Sequence, residues 1–119
     1  MTVYVDDMRA PFGKMIMCHM IADTEKELHD MAFAIGLQRR WYQGDHYDVA
    51  LVKRAEAVSR GAVEITWRQA GAMMACVRLY KLPMPKPEDA ETVRAEMRER
   101  VRAKDSILSQ FFRERSGGS

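Results

Sequence analysis

The run Lys14–Ala22 (Lys-Met-Ile-Met-Cys-His-Met-Ile-Ala) is apolar at every position after the lysine except His19. It is far shorter than the ~20 residues a membrane-crossing helix needs. It also lacks the polar stripe of a surface helix. A strand covered on both faces has this composition, which places it near the centre of its sheet. The rest of the chain must therefore supply layers above and below.

The flanking segments suit that role. Thr2–Asp6 is β-branched and aromatic, as a strand is, and Arg9–Gly13 reads as a loop because Pro11 and Gly13 break it. Thr24 and Glu27 have capping-box spacing, and Leu28, Met31, Ala32 and Ile35 then make one apolar helix face that Gly36 ends. Trp41–Gln43 reads as a short strand. A second helix is expected from about Val49 to Arg60, with Leu51, Ala55 and Val58 inward and Gly61 as terminator. Ala62–Thr66 alternates like a strand, and Arg68–Tyr80 has helical periodicity weakened by Gly71.

Pro83, Pro85 and Pro87 recur at every second position and force an extended spacer. Pro87 also suits the first turn of a helix, with Glu88, Asp89 and Glu91 at its positive end. The expected architecture is α/β or α+β: a small mixed sheet covered by helices, with a long C-terminal helix. The partition is an α/β body over 1–82, a proline-rich spacer over 83–87, an amphipathic charged helix over 88–115 and a flexible tail over 116–119.

Composition narrows the function classes. With 119 residues the chain holds one domain, and a net charge of +2 gives no global bias toward nucleic acid. Cys18 and Cys76 lie apart within apolar stretches, which fits buried thiols in a reducing compartment and no disulfide framework. The N-terminus lacks the basic start and apolar stretch of a secretion signal. The expectation is a cytoplasmic protein that does not enter a membrane.

Three stretches taken together resemble a bacterial and phage family named for a domain of unknown function, number 4031. They are Tyr4-Val-Asp-Asp-Met-Arg-Ala-Pro-Phe-Gly13; Met17-Cys-His-Met-Ile-Ala-Asp23 with Glu27-Leu-His29; and Trp41-Tyr-Gln with His46-Tyr-Asp48 and Lys53-Arg54, closed by Gly61-Ala62. The resemblance spans roughly residues 2–70 and leaves the C-terminal helix outside. It implies a small cytosolic protein and carries over no activity.

The polar residues beside apolar segments are the candidates for chemistry. If the first two strands are neighbours, Asp6, Arg9 and Asp23 leave the sheet at one edge, and the His46-Tyr47-Asp48 turn can approach it. Ligand sites favour such edges. The leading expectation is a pocket for a nucleotide-like or phosphorylated ligand, built by Asp6, Arg9, His19, Arg39, His46, Tyr47, Asp48 and Arg54. Arg40 and Lys53 are further cations for a phosphate clamp, and Tyr4, Trp41, Tyr42 or Tyr47 can stack on a base. Turnover is left open. A weaker alternative is a metal-dependent phosphoesterase in which His19, His46 and Asp48 hold a divalent ion. Against it, aspartates also cap helices, as Asp23 and Asp48 are placed to do. A lone histidine on an apolar strand is more often a hydrogen-bonded core residue.

Val93, Met97, Val101, Leu108 and Phe111 form an apolar stripe on the C-terminal helix, interrupted by Lys104. The expectation is a homodimer joined by this stripe. A rival reading is an interaction protein that binds a host macromolecule through the same helix. Acidic residues interspersed among the arginines disfavour nucleic acid.

Overall fold

The computed structural model describes residues 2–117. Its elements are β1 (Val3–Val5), β2 (Ala10–Phe12), β3 (Met15–Ala22), α1 (Glu25–Ala34), a 3-10 turn (Arg39–Trp41), β4 (Tyr47–Ala50), α2 (Leu51–Ser59), β5 (Val63–Glu64), α3 (Trp67–Tyr80) and α4 (Pro87–Gly117). The class is α+β, with a mixed five-stranded sheet and a long C-terminal helix.

The apolar run is the centre of the sheet. β2 pairs antiparallel with Met15–Met17, β1 with Met20–Ala22 and β4 with Met17–Met20 of β3, while β5 pairs parallel with β1. Since β4 faces Met17 and Met20, which β2 and β1 also face, β4 takes one edge of β3. β1 and β2 divide the other. Alternation sends Cys18, Met20 and Ala22 to one face and Ile21 to the other, each against its own core. Val5, Tyr47, Val49, Leu28, Ala32, Ile35 and Ala57 join the first face, under α1 and α2. Tyr4, Ile65, Ala70, Met73 and Ala90 join the second, under α3 and the start of α4.

Several local expectations are corrected. Arg9–Gly13 is not simply loop: Ala10–Phe12 forms β2 and turns back into β3 at Gly13, which has φ +60°. Pro11 is tolerated because it lies outside the centre of the sheet. Trp41 closes a 3-10 turn and not a strand. Asp48 caps no helix. Tyr47–Ala50 is β4, because Tyr47 and Val49 alternate inward against β3, and α2 begins only at Leu51. On α2, Leu51 and Ala55 are exposed, and Ala57 with Val58 faces the core.

Thr24 caps α1 by accepting from the Glu27 N–H at 3.2 Å, but Glu27 binds the Thr24 hydroxyl and not its backbone. The reciprocal capping box belongs to α3, between Thr66 and Gln69. Gly71 leaves α3 unbroken.

α4 has two regimes. Ala90 is fully buried against α3, and Val93 and Met97 are half-buried. From Val101 onward the apolar side chains are exposed, including Leu108 and Phe111. The helix continues through Ser116 and Gly117, and the rest of the tail, Gly118–Ser119, lies outside the described residues.

Candidate metal centre

Asp6 directly follows β1 and is 1% exposed. Its N–H still donates to the His19 carbonyl at 3.0 Å, but its own carboxylate replaces the next backbone acceptor and takes the His19 N–H at 2.8 Å. The same carboxylate accepts from Met8 N at 3.2 Å and lies 2.8 Å from His19 Nδ1. Burial pushes the Asp6 carboxyl up, yet the bonds from the His19 ring and backbone outweigh it and hold it below the ordinary value. The partnership with Asp6 likewise raises His19, overcoming the effect of burial.

Across the ladder His19 pairs with Asp48 in β4. His46 lies just before β4, two residues ahead of Asp48, and its ring centroid is 5.3 Å from that of His19. It is 9% exposed, and its Nδ1 lies 2.7 Å from Asp45 Oδ1. Arg78, near the end of α3, grips Asp45 with two nitrogens, its Nη2 at 2.7 Å from Oδ1. Burial raises the Asp45 carboxyl, but Arg78 and then His46 bring it below the ordinary carboxylate value.

Both imidazoles thus spend Nδ1 on a carboxylate and turn Nε2 toward Asp48. His46 Nε2 is 3.3 Å and His19 Nε2 3.9 Å from Asp48 Oδ1. Asp48 Oδ2 is occupied elsewhere, accepting from Gln43 Nε2 at 2.7 Å. One ligand atom from each of His19, His46 and Asp48 lies within 4.8 Å of the others. Ligands at about 2.1 Å around one tetrahedral ion stand roughly 3.4 Å apart, a spacing that the His46–Asp48 pair already has and the His19–Asp48 pair exceeds.

The tautomers follow from the partners. Asp6 and Asp45 only accept, so Nδ1 of each ring carries a proton, and in the metal-binding form of the rings Nε2 presents a lone pair. In that form three acceptors face one another with no donor between them. A proton or a metal ion resolves that conflict, and carboxylates behind ligating histidines are the usual outer support of metal sites.

His19 and Asp48 also form part of the wall of a cavity of about 700 Å³. Phe12, Met15, Leu37 and Trp41 supply apolar wall, and Arg40 and Lys53 supply cations.

The remaining candidates sit elsewhere. Arg54 Nε donates to the Asp6 carbonyl at 2.8 Å and its Nη1 to Glu64 at 2.8 Å, tying α2 to the ends of β1 and β5. Tyr47 is buried at 1% exposure with its hydroxyl 2.8 Å from His29 Nδ1. Arg39 reaches out to Glu25 at 3.7 Å and over the Tyr42 ring, and Arg9 is exposed in the β1–β2 connection; neither lines the cavity. Tyr4 gives its hydroxyl to Asp23 at 3.0 Å within the second core. Sequence reasoning missed Asp45, Gln43 and Arg78 as supports. Asp45 had a local signal, its adjacency to His46, whereas nothing in the sequence linked Arg78 to it. Among the described residues no helix is long and apolar enough to cross a membrane.

No curated protein and no solved structure matches the chain. The profile of the family described as "Protein of unknown function (DUF4031)" matches residues 3–77, which takes in the sheet, both histidines, Asp48, Asp6 and Asp45 and stops one residue before Arg78. The chain belongs to that family.

Proposed function

We propose that this protein is a metal-dependent hydrolase of a small anionic molecule, with His19, His46 and Asp48 holding one divalent transition-metal ion. The observation that carries the reading is the convergence of two Nε2 atoms and a carboxylate oxygen, each oriented by a partner at its far side. Two imidazoles and one carboxylate suit zinc and its first-row neighbours better than magnesium or calcium. Three protein ligands leave positions for water and substrate, the arrangement of catalytic sites. Bound there, the ion supplies an acidified water and polarises the substrate. His19 and Asp48 bring the ion to the cavity wall, while Asp6, Asp45 and Gln43 fix the ligands' orientation. Two buried free thiols, Cys18 and Cys76, suit a reducing, cytoplasmic setting.

The test is calorimetric titration of chelator-stripped protein with Zn²⁺, Mn²⁺ and Mg²⁺, followed by an ester-hydrolysis screen with and without chelator. One Zn²⁺ per chain, lost in His46→Ala, with activity that chelation removes, is expected. Absence of Zn²⁺ binding sinks the proposal and leaves a protonated histidine as the cation in the cluster.

A second reading concerns assembly. Val101, Leu108 and Phe111 continue the line of half-buried Met97 with a heptad-like spacing along the exposed part of α4, which suits pairing with the same helix of a second copy. Light scattering of the full chain against a variant ending at residue 100 tests it. A dimer reduced to a monomer supports the reading, and a monomeric full chain at high concentration rejects it.

A further inference from the structure

The cavity beside the cluster combines features that one chemical class satisfies together. Its wall exposes Phe12, Met15 and Trp41 at 67%, 48% and 46% of their surfaces, so a ligand that left them wet would waste that area. Arg40 also lines the cavity and takes part in none of the ion pairs among the described residues. Lys53 lines it too, sharing its ammonium with Glu56 at 3.7 Å. A neutral apolar ligand leaves Arg40 without a counter-charge and Lys53 with Glu56 alone. Inorganic phosphate leaves the apolar wall in water. A nucleobase would need several polar groups to read its edges, but the wall's one uncharged amide, Gln43, already gives its Nε2 to Asp48.

We infer that the substrate is a phosphate monoester of an apolar or aromatic alcohol, with its phosphate among the metal centre, Arg40 and Lys53 and its organic body against Phe12, Met15 and Trp41. The inference rests on the metal-dependent hydrolysis proposed above and names its substrate. A guanidinium, an ammonium and a divalent ion together match a dianionic phosphate, whose oxygens engage several cations at once. The reaction is ROPO₃²⁻ + H₂O → ROH + HPO₄²⁻. The water oxygen forms a new P–O bond, the ester P–O bond breaks with its electron pair on the alkoxide, one water proton passes to that alkoxide and the other stays on phosphate.

The experiment uses the full chain, stripped of metal, titrated with 1-naphthyl phosphate, 1-naphthol and inorganic phosphate. Naphthyl phosphate should bind more tightly than either fragment. The paired substitution Arg40→Ala with Lys53→Ala should weaken it about tenfold or more while leaving naphthol unchanged. Trp41→Ala should weaken both aromatic probes. Loading wild type with Zn²⁺ should tighten naphthyl phosphate further, and His46→Ala should lose both Zn²⁺ binding and that gain. A metal failure is thereby separated from a pocket failure. Equal affinity for naphthyl phosphate in wild type and in the paired variant overturns the inference. So does the lack of naphthyl phosphate binding at millimolar concentration to both stripped and Zn²⁺-loaded protein.

Discussion

His19 Nδ1 lies 2.8 Å from the carboxylate of Asp6, a side chain that is itself 1% exposed. One residue of the central strand and one at the end of its neighbour thereby fix which nitrogen of His19 faces outward. Asp6 is the hidden half of the site. It does not line the cavity beside the cluster, yet it sets the aim of the ring that does.

That pair gives a pH signature in chelator-treated protein. Asp6 is lowered in the folded state, so its contribution is present above the unfolded carboxyl value and is lost as pH falls through the lowered one. His19 is raised, so its contribution is full below its unfolded value and is lost as pH rises through the raised one. The stability gap between wild type and Asp6→Asn should be widest between about pH 4 and 6.5. Urea melts at a series of pH values measure it, and a gap that is flat from acid to alkali contradicts the pairing.

Removing the imidazole leaves Asp6 with two backbone donors, from His19 and Met8. His19→Ala should therefore cost the stripped protein about 1–3 kcal/mol, the penalty for one lost partner of a buried group. Denaturant unfolding reads it. A loss below the error of the fit means water replaces the ring without cost.

Asp45 acts through His46, and Arg78 acts through Asp45. Asp45→Asn and Arg78→Ala should each lower Zn²⁺ affinity by about 10- to 100-fold with little change in fold, as loss of an outer partner does. Competition with a coloured chelator measures this, with circular dichroism as the control. An unchanged affinity in both variants removes the relay from α3.

Burial pushes the Cys18 thiol up to about 11, so it is almost wholly protonated near neutrality. Native protein should react with a thiol reagent at Cys18 only after unfolding. Rapid native labelling of Cys18, read by peptide mass mapping, excludes this burial.

Ala90 marks where α4 meets the body, fully buried, with its carbonyl 4.0 Å from Cys76 Sγ. Ala90→Leu should destabilise by about 1–3 kcal/mol through overpacking. Ile107→Ala, at a position 68% exposed, should leave thermal stability nearly unchanged in a monomer. Equal effects of the two place the distal helix in contact with protein.

What the sequence made legible follows from the range of its signals. Lys14–Ala22 announced a central strand, but the two-faced burial expected of it holds only toward its end: Cys18 and Met20–Ala22 are buried, whereas Met15 and Ile16 are exposed. Leu28, Ala32, Ile35 and Gly36 announced α1 and its end. Val49 misled, since a four-residue strand running directly into a helix offers too few positions for its alternation to stand out. His19, His46 and Asp48 were named as one possible ligand set. Their meeting depends on the β3–β4 register, and a strand register joins residues whose separation in sequence carries no pattern. Arg54 shows the converse: a cation suited to phosphate whose guanidinium is engaged by a backbone carbonyl and Glu64.

The protruding distal half of α4 also governs how the molecule behaves in flow. The radius of gyration is 18.8 Å and the longest axis 66 Å, whereas a compact chain of this length has a radius near 13–14 Å, by the approximate scaling of globular domains. A lone copy should therefore tumble slowly and elute early, mimicking a heavier sphere on a calibrated sizing column. Clipping the rod should shift elution later even where no partner is shed.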